Sequence, residues 1–212
     1  MALSIKNDKV ITIVPPKKLS STERDKLVNT PINDKLIKKA TSRKYNMYSI
    51  NLIEIKKYNS ITTEYQLSKK IIASLELSDL FEQKHRETLF IEDICKRVKK
   101  SKTVLYVLKK DNENLGLISI SSTSIEDFPA LQIDFLFVSK KYRGLVLEDL
   151  DNVKTSEYLI ELVISIAKNI QENIGLKYIV LLPDNKDLEK IYKELNFNKL
   201  NKTGWMFISI WL

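Results

Sequence analysis

The chain has 212 residues, long for one domain and short for two, which points to a single core carrying an extension. Apolar residues make up 43% and charged residues 29%, with a net charge of +8; one cysteine (Cys95) excludes an internal disulfide, and one histidine (His85) leaves almost nothing for a metal site. The longest apolar run, Tyr158–Ala167, is broken by Glu161 and is too short for a bilayer, and the opening MALSIKNDKV lacks a secretory leader's apolar stretch, so a reducing cytoplasm is the expected setting and no membrane partner is expected.

In chain order, residues 1–45 come first, with eleven basic and four acidic side chains, a net +7 that leaves the rest nearly neutral. Such a segment can meet RNA, DNA or an acidic partner. Thirty of the thirty-five basic residues are lysine, however, and a lysine-rich solvated surface is the competing reading. Within the segment Val10–Val14 reads as a short strand stopped by Pro15-Pro16. Ser20-Ser21-Thr22-Glu23 reads as a capping box, and Pro31 opens a second short helix. Too few apolar residues are present for it to fold alone, so it is expected to pack, as a basic extension, on a domain spanning residues 46–212.

Tyr48–Ile55 is a strand candidate, and Thr63 caps a helix with Leu67, Ile71, Ile72 and Leu75 on one face. Ile91–Lys99 is a second helical stretch, while His85, amid the charges of FEQKHRETLF, reads as a surface residue. Strands Val104–Lys109 and Leu115–Ser121 flank the turn Asp111-Asn112-Glu113-Asn114. A loop, Glu126-Asp127-Phe128-Pro129, leads to strand Leu131–Val138. Then come the turn Tyr142-Arg143-Gly144, a helix near Ser156–Asn173, strand Tyr178–Leu182, a helix near Lys186–Leu195 and an apolar strand Trp205–Leu212. Antiparallel pairs first and a helical crossover later give a mixed α/β fold, an α+β mixed sheet rather than a doubly wound one.

The strand–turn–helix at 131–173 is where chemistry is expected. A helix N-terminus offers unpaired N–H groups and a positive dipole end, which together bind phosphate oxygens. Arg143 adds a permanent charge and Gly144 permits close backbone approach. Asp134 interrupts an otherwise apolar strand, an unusual place for a carboxylate. It reads equally as a general base, as a ligand for a cationic amine, or as a solvent-facing residue on a half-exposed strand.

With Val138, Tyr142-Arg143-Gly144, Asn185 and Ile191-Tyr192-Lys193-Glu194-Leu195-Asn196-Phe197, the chain resembles the GNAT superfamily of acyl-CoA-dependent N-acetyltransferases. In that family a strand ending in Val leads to a Tyr-Arg-Gly-type turn, a helix, and an Asn…Phe-Tyr-Glu-Lys-Leu-Gly-Phe tail. The likeness is strongest from Ala130 to Phe197, extends plausibly from about Ile50 to the C-terminus, and does not cover the first 45 residues. The family's glycines two and four positions after Gly144 are here Val146 and Glu148. Aligning on the helix instead makes Leu145–Asn152 an insertion and puts Thr155-Ser156-Glu157 at the phosphate cradle; the insertion's acids, Glu148, Asp149 and Asp151, are then expected to point away.

The resemblance implies a GNAT-like fold and acetyl-CoA as co-substrate. Cofactor contacts would fall to Phe137, Val138, Arg143, Gly144, Thr155, Ser156, Glu157, Asn185 and Tyr192, and the pantetheine arm would pair with the strand Leu131–Val138 like an added strand. A backbone N–H within Ile133–Val138 would stabilise the developing oxyanion. Tyr192 would be the acid for the leaving thiolate and Asp134 a candidate base. Tyr192 also shares a helical face with Leu188, Ile191 and Leu195, the pattern of a core tyrosine, and Asn185 also fits a plain helix cap. The expected activity is acetyl transfer to a primary amine on a small molecule, a protein or an aminoacyl-tRNA, the last as a toxin. The alternative is a GNAT-like binding module that has lost catalysis with its glycines. The apolar C-terminal strand makes a homodimer a reasonable expectation.

Overall fold

The alternating apolar residues of the central strands build a seven-stranded sheet with helices on both faces. The structure is a computed structural model and describes residues 53–125, 128–200 and 203–210. The expected elements of residues 1–45, the beginning of the Tyr48–Ile55 strand and the boundary at residue 45 lie outside the described residues. In chain order the elements are β1 (Ile53–Tyr58), α1 (Leu67–Ala73), α2 (Phe81–Lys99), β2 (Val104–Lys110), β3 (Glu113–Ile125) and β4 (Phe128–Val138). There follow β5 (Val146–Leu147), β6 (Val153–Lys154), α3 (Thr155–Gln171), β7 (Tyr178–Leu181), α4 (Lys186–Glu194), β8 (Asn198–Lys199) and β9 (Met206–Ser209).

The sheet order is β1-β2-β3-β4-β7-β9-β8, antiparallel throughout except for the parallel β4–β7 pair that α3 connects. Leu131, Ile133 and Leu136 of β4 join Leu159, Val163 and Ala167 of α3 in the larger core, whereas Phe135 and Phe137 belong to the cluster under α1 and α2. Gly116 of β3 lets α3 seat against the sheet. A Cβ there would lie 2.7 Å from the Phe137 carbonyl oxygen and 3.1 Å from both Leu159 Cδ1 and Thr155 Cγ2.

Several boundaries differ from expectation. β4 begins at Phe128, so Phe128 and Pro129 are strand and not loop, while Glu126 and Asp127 lie outside the described residues. Pro129 is tolerated near the strand's start, where its carbonyl accepts from Lys177 N. Helix α2 starts at Phe81, ten residues before the apolar period becomes visible, and His85 sits exposed on its first turns. Strand β9 is not a free edge along its whole length: Met206 and Phe207 pair with β7 on one side and β8 on the other. At those residues β9 offers no exposed edge to a second copy of the chain, contrary to the expectation of a homodimer through that strand. No helix among the described residues is long and apolar enough to cross a membrane, and no group of metal-ligating side chains is found among them.

Candidate active site

Strand β4 changes character at Asp134. Up to Ile133 it pairs with β3 on one side and, through Ala130–Ile133 against Tyr178–Leu181, with β7 on the other. Ser119 then pairs with Phe135 and Ile120 with Ile133, so Asp134 is the extra residue of a β-bulge. From that residue on β4 has no partner on the β7 side among the described residues, and the two parallel strands splay. The bulge also breaks the alternation of faces, because Asp134 and Phe135 both turn toward α2.

The Asp134 carboxylate is 0% exposed and is the hub of a hydrogen-bond network. Its Oδ1 accepts from Arg97 Nη2 (2.9 Å), Ser121 Oγ (2.9 Å) and Gln132 Nε2 (3.1 Å). Its Oδ2 accepts from Thr103 Oγ1 (2.7 Å). Burial raises its pKa against the opposing pull of Arg97 and the hydroxyls. An anchor has this geometry; a general base or amine ligand must meet its substrate, and this carboxylate faces inward. Of its partners, Arg97, Thr103 and Ser121 were not marked by any sequence signal.

The turn after β4 is tied down rather than free. A 3₁₀ turn, Lys140–Tyr142, precedes Arg143, whose Nε donates to the Val138 carbonyl (2.9 Å) and whose guanidinium lies 5.1 Å from the Phe137 ring centre. Its Nη2 donates to Glu87 Oε1 (2.9 Å) on α2, and that buried carboxylate also accepts from Ser78 N and Gln83 Nε2. Gly144 sits at φ 74°, with no atom of the described residues within 4 Å of an added Cβ.

The Leu145–Asn152 segment folds as an outgrowth. Val146 pairs with Lys154 and Leu147 with Val153, closing a two-stranded hairpin whose base returns the chain to the start of α3. Leu150 is wholly buried, and Asp149 pairs with Lys110 at the end of β2, on the side of β4 away from β7. The hairpin thus leans away from the splay. It leaves Thr155 one residue past its base, with Gly144 two residues before it.

Helix α3 starts with no side-chain cap from Lys154, so the amides of Thr155, Ser156 and Glu157 receive no capping hydrogen bond from it. Thr155 Oγ1 is buried without a hydrogen-bond partner among the described residues. Ser156 and Glu157 are half-buried. Asn185 is a side-chain cap of α4: its Oδ1 accepts from Asp187 N (3.0 Å) and Leu188 N (2.9 Å). Tyr192 lies in the larger core, edge-on to Phe197 at 5.8 Å, while its neighbour Ile191 is exposed. Its hydroxyl makes no hydrogen bond to the described residues, and burial pushes the phenol up to about 12. The structure thus gathers Asp134, Phe137, Val138, Arg143 and Gly144 along one strand and its turn, and Thr155, Ser156 and Glu157 at the adjoining helix start. Asn185 and Tyr192 stand on the element that follows β7.

No family model and no curated relative matches the chain. Solved structures do. A tyrosine-to-phenylalanine mutant of the toxin AtaT, bound to the C-terminus of the antitoxin AtaR, aligns with a TM-score of 0.57 at 12% identity over 74% of this chain and 92% of that one. AtaT complexed with acetyl-methionyl-tRNAfMet gives 0.56 at 11%, over 74% and 94%. A tyrosine-to-phenylalanine mutant of KacT gives 0.57 at 13%, over 76% and 96%. At those identities the likeness establishes the fold, which is the GNAT-like mixed α/β architecture.

Proposed function

We propose that the chain is an acyl-CoA-dependent N-acyltransferase that moves an acetyl group from acetyl-CoA to a primary amine. One observation carries the reading: β4 loses its β7 partner at the residue where it bulges, which leaves its main-chain edge from Asp134 to Val138 unpaired on that side among the described residues. An extended, amide-bearing arm pairs with such an edge as an added strand does. The fold shared with AtaT and KacT supports it.

The residues fit a CoA diphosphate on two counts: the first-turn amides of α3 receive no side-chain cap from Lys154, and Thr155 Oγ1 beside them is buried without a hydrogen-bond partner among the described residues. Ser156 and Gly144 would line the same cradle, Phe137 and Val138 the pantetheine edge. Arg143 would reach phosphate only by sharing its guanidinium with Glu87, and Glu157, acidic in the first turn, would contribute its amide rather than its side chain. Acetyl-CoA supplies the acyl group as a thioester. Tyr192, in the second half of α4, holds a proton at Oη. A phenol near 12 is a weaker acid than a thiol of about 8.5, so full proton transfer is uphill by several kcal/mol. Its role is then hydrogen-bond donation to the departing sulfur, with Asn185 fixing the helix that carries it.

For the acceptor, the solved complex of AtaT with acetyl-methionyl-tRNAfMet favours the amino group of an aminoacyl-tRNA. The +7 segment at residues 1–45 suits a polyanion and is proposed as a basic extension of a catalytic domain spanning 46–212, in a cytoplasmic protein. Two measurements test the reading. Acetyl-CoA at 100 times its dissociation constant should stabilise the fold by about 2.7 kcal/mol in a thermal shift. Labelled acetyl-CoA should then mark charged tRNA in preference to polyamines or peptides, with tRNA affinity falling steeply as salt rises. No thermal shift at saturation favours a binding module; label only on a small amine removes the tRNA acceptor.

A further inference from the structure

The sequence leaves Asp134 open as a base, an amine ligand or a solvent-facing residue, and its surroundings suit a further role. Its side chain is 0% exposed, yet the residue as a whole is partly exposed, so what remains accessible at the bulge is its main chain. The bulge falls where β4 leaves β7, so the exposed backbone lies at the mouth of the splay. A bulge is a deformable device: one residue more than its partner strand must be stored, and nothing in the ladder fixes how the extra peptide is turned. Here four donors from four places fix it. Arg97 comes from α2, Thr103 from the start of β2, Ser121 from β3 and Gln132 from β4 itself. Thr103 Oγ1 also lies within hydrogen-bond distance of the Ile120 carbonyl (2.8 Å), the residue at which the register shifts. The network thus clamps both strands of the bulge from the α2 face.

We propose that Asp134 is a positioning residue: through Arg97, Thr103, Ser121 and Gln132 it holds the β4 bulge so that the main-chain N–H groups beside it are aimed at the carbonyl of a bound acyl thioester. The proposal rests on the acyltransferase reading and adds to it a named source of preorganisation. An oxyanion donor works only if it is fixed before the reaction, and aiming is what a wholly buried, multiply bonded carboxylate beneath a bulge accomplishes. It also accounts for an otherwise costly feature, since an ionisable group without solvent contact is retained only where its partners are matched to it.

The experiment is difference infrared spectroscopy of acetyl-CoA labelled with ¹³C at the thioester carbonyl, bound to the full chain. In the wild type the carbonyl stretch moves to lower frequency than in free acetyl-CoA, because the aimed N–H groups polarise it. In Thr103→Val, which removes one donor at nearly constant volume, that displacement shrinks while the dissociation constant for acetyl-CoA stays within about threefold and the melting curve remains cooperative. Thr103→Ser restores it. Asp134→Asn, where it folds, loses the displacement altogether. Once an acceptor is in hand, kcat falls about 10²-fold in Asp134→Asn with little change in KM for acetyl-CoA. Binding to the wild type with an unshifted carbonyl, or a shift that Thr103→Val leaves intact, overturns the positioning role alone. Failure of the wild type to bind acetyl-CoA removes the acyltransferase reading and this role with it.

Discussion

Two side chains carry predictions that turn chiefly on burial. Tyr192 is raised to about 12 by desolvation. A raised folded-state value means that its contribution to stability is complete below about 10 and is lost as pH climbs through about 12. A pH–rate profile should accordingly show no falling alkaline limb below about pH 10, and Tyr192→Phe should lower kcat by about 10²-fold with acetyl-CoA binding intact. A limb between pH 8 and 10 that disappears in Tyr192→Phe would place the phenol lower and make it a stronger acid than the structure indicates. Cys95, buried in the cluster under α2, is likewise pushed up to about 12, first by burial and then by Glu92. It should resist thiol reagents at pH 8 in the native protein and react as the fold opens, so the labelling rate should track denaturant unfolding. At this scale the sequence was half legible. Asp134 stood out as a carboxylate among apolar residues. Its donors Arg97, Thr103 and Ser121 lie 37, 31 and 13 positions away, and no local period links them.

At the scale of elements, legibility followed hydrophobic periodicity. Helices α3 and α4 and strand β7 came out within a residue or two, because their apolar faces run unbroken. The first ten residues of α2 did not, since FEQKHRETLF places only Phe81, Leu89 and Phe90 among charges, and Phe81 and Leu89 are exposed. That half of α2 is fixed largely by polar contacts, Glu87 accepting from Ser78 N and Arg143 and Arg86 paired with Asp184, with Phe90 stacked on Phe135 as its apolar contact. The glycine-poor turn was readable as an insertion but not as a hairpin, because two-residue strands leave no alternation to see. Gly116 gives the test at this scale. Gly116→Ala would push a methyl to 2.7 Å from the Phe137 carbonyl oxygen, a backbone atom that cannot swing aside. We expect a loss of about 1–3 kcal/mol in urea unfolding. Because the displaced partners include Thr155, acetyl-CoA affinity should fall as well. An unchanged midpoint would mean that Gly116 has more room beside the Phe137 carbonyl and α3 than the structure gives it.

Across the whole molecule, α2 acts as a crossbar over the splay. Adjacent residues on it reach the two lips: Arg86 pairs with Asp184 after β7, and Glu87 with Arg143 after β4. The pairs are unequal in kind. Arg86 and Asp184 have side chains 47% and 33% exposed, so water and salt screen them and holding two long side chains in place costs entropy. Arg86→Ala should change stability by less than about 1 kcal/mol. Glu87 is only 6% exposed, and Ser78 N, Gln83 and Arg143 all depend on it. Glu87→Ala strands a backbone donor and releases a guanidinium at once, with an expected loss of about 2–4 kcal/mol, at the lower end because Arg143 is itself 41% exposed. Urea melts of the two variants decide it. If the Arg86 variant loses as much as the Glu87 variant, the β7 lip is held from α2 as firmly as the β4 lip, and closing the splay behind a bound thioester would have to break that contact. If the order is as expected, α2 holds the β4 lip firmly through a buried carboxylate, and the β7 lip rests on its own packing, with Tyr192, Leu195 and Phe197 in the larger core.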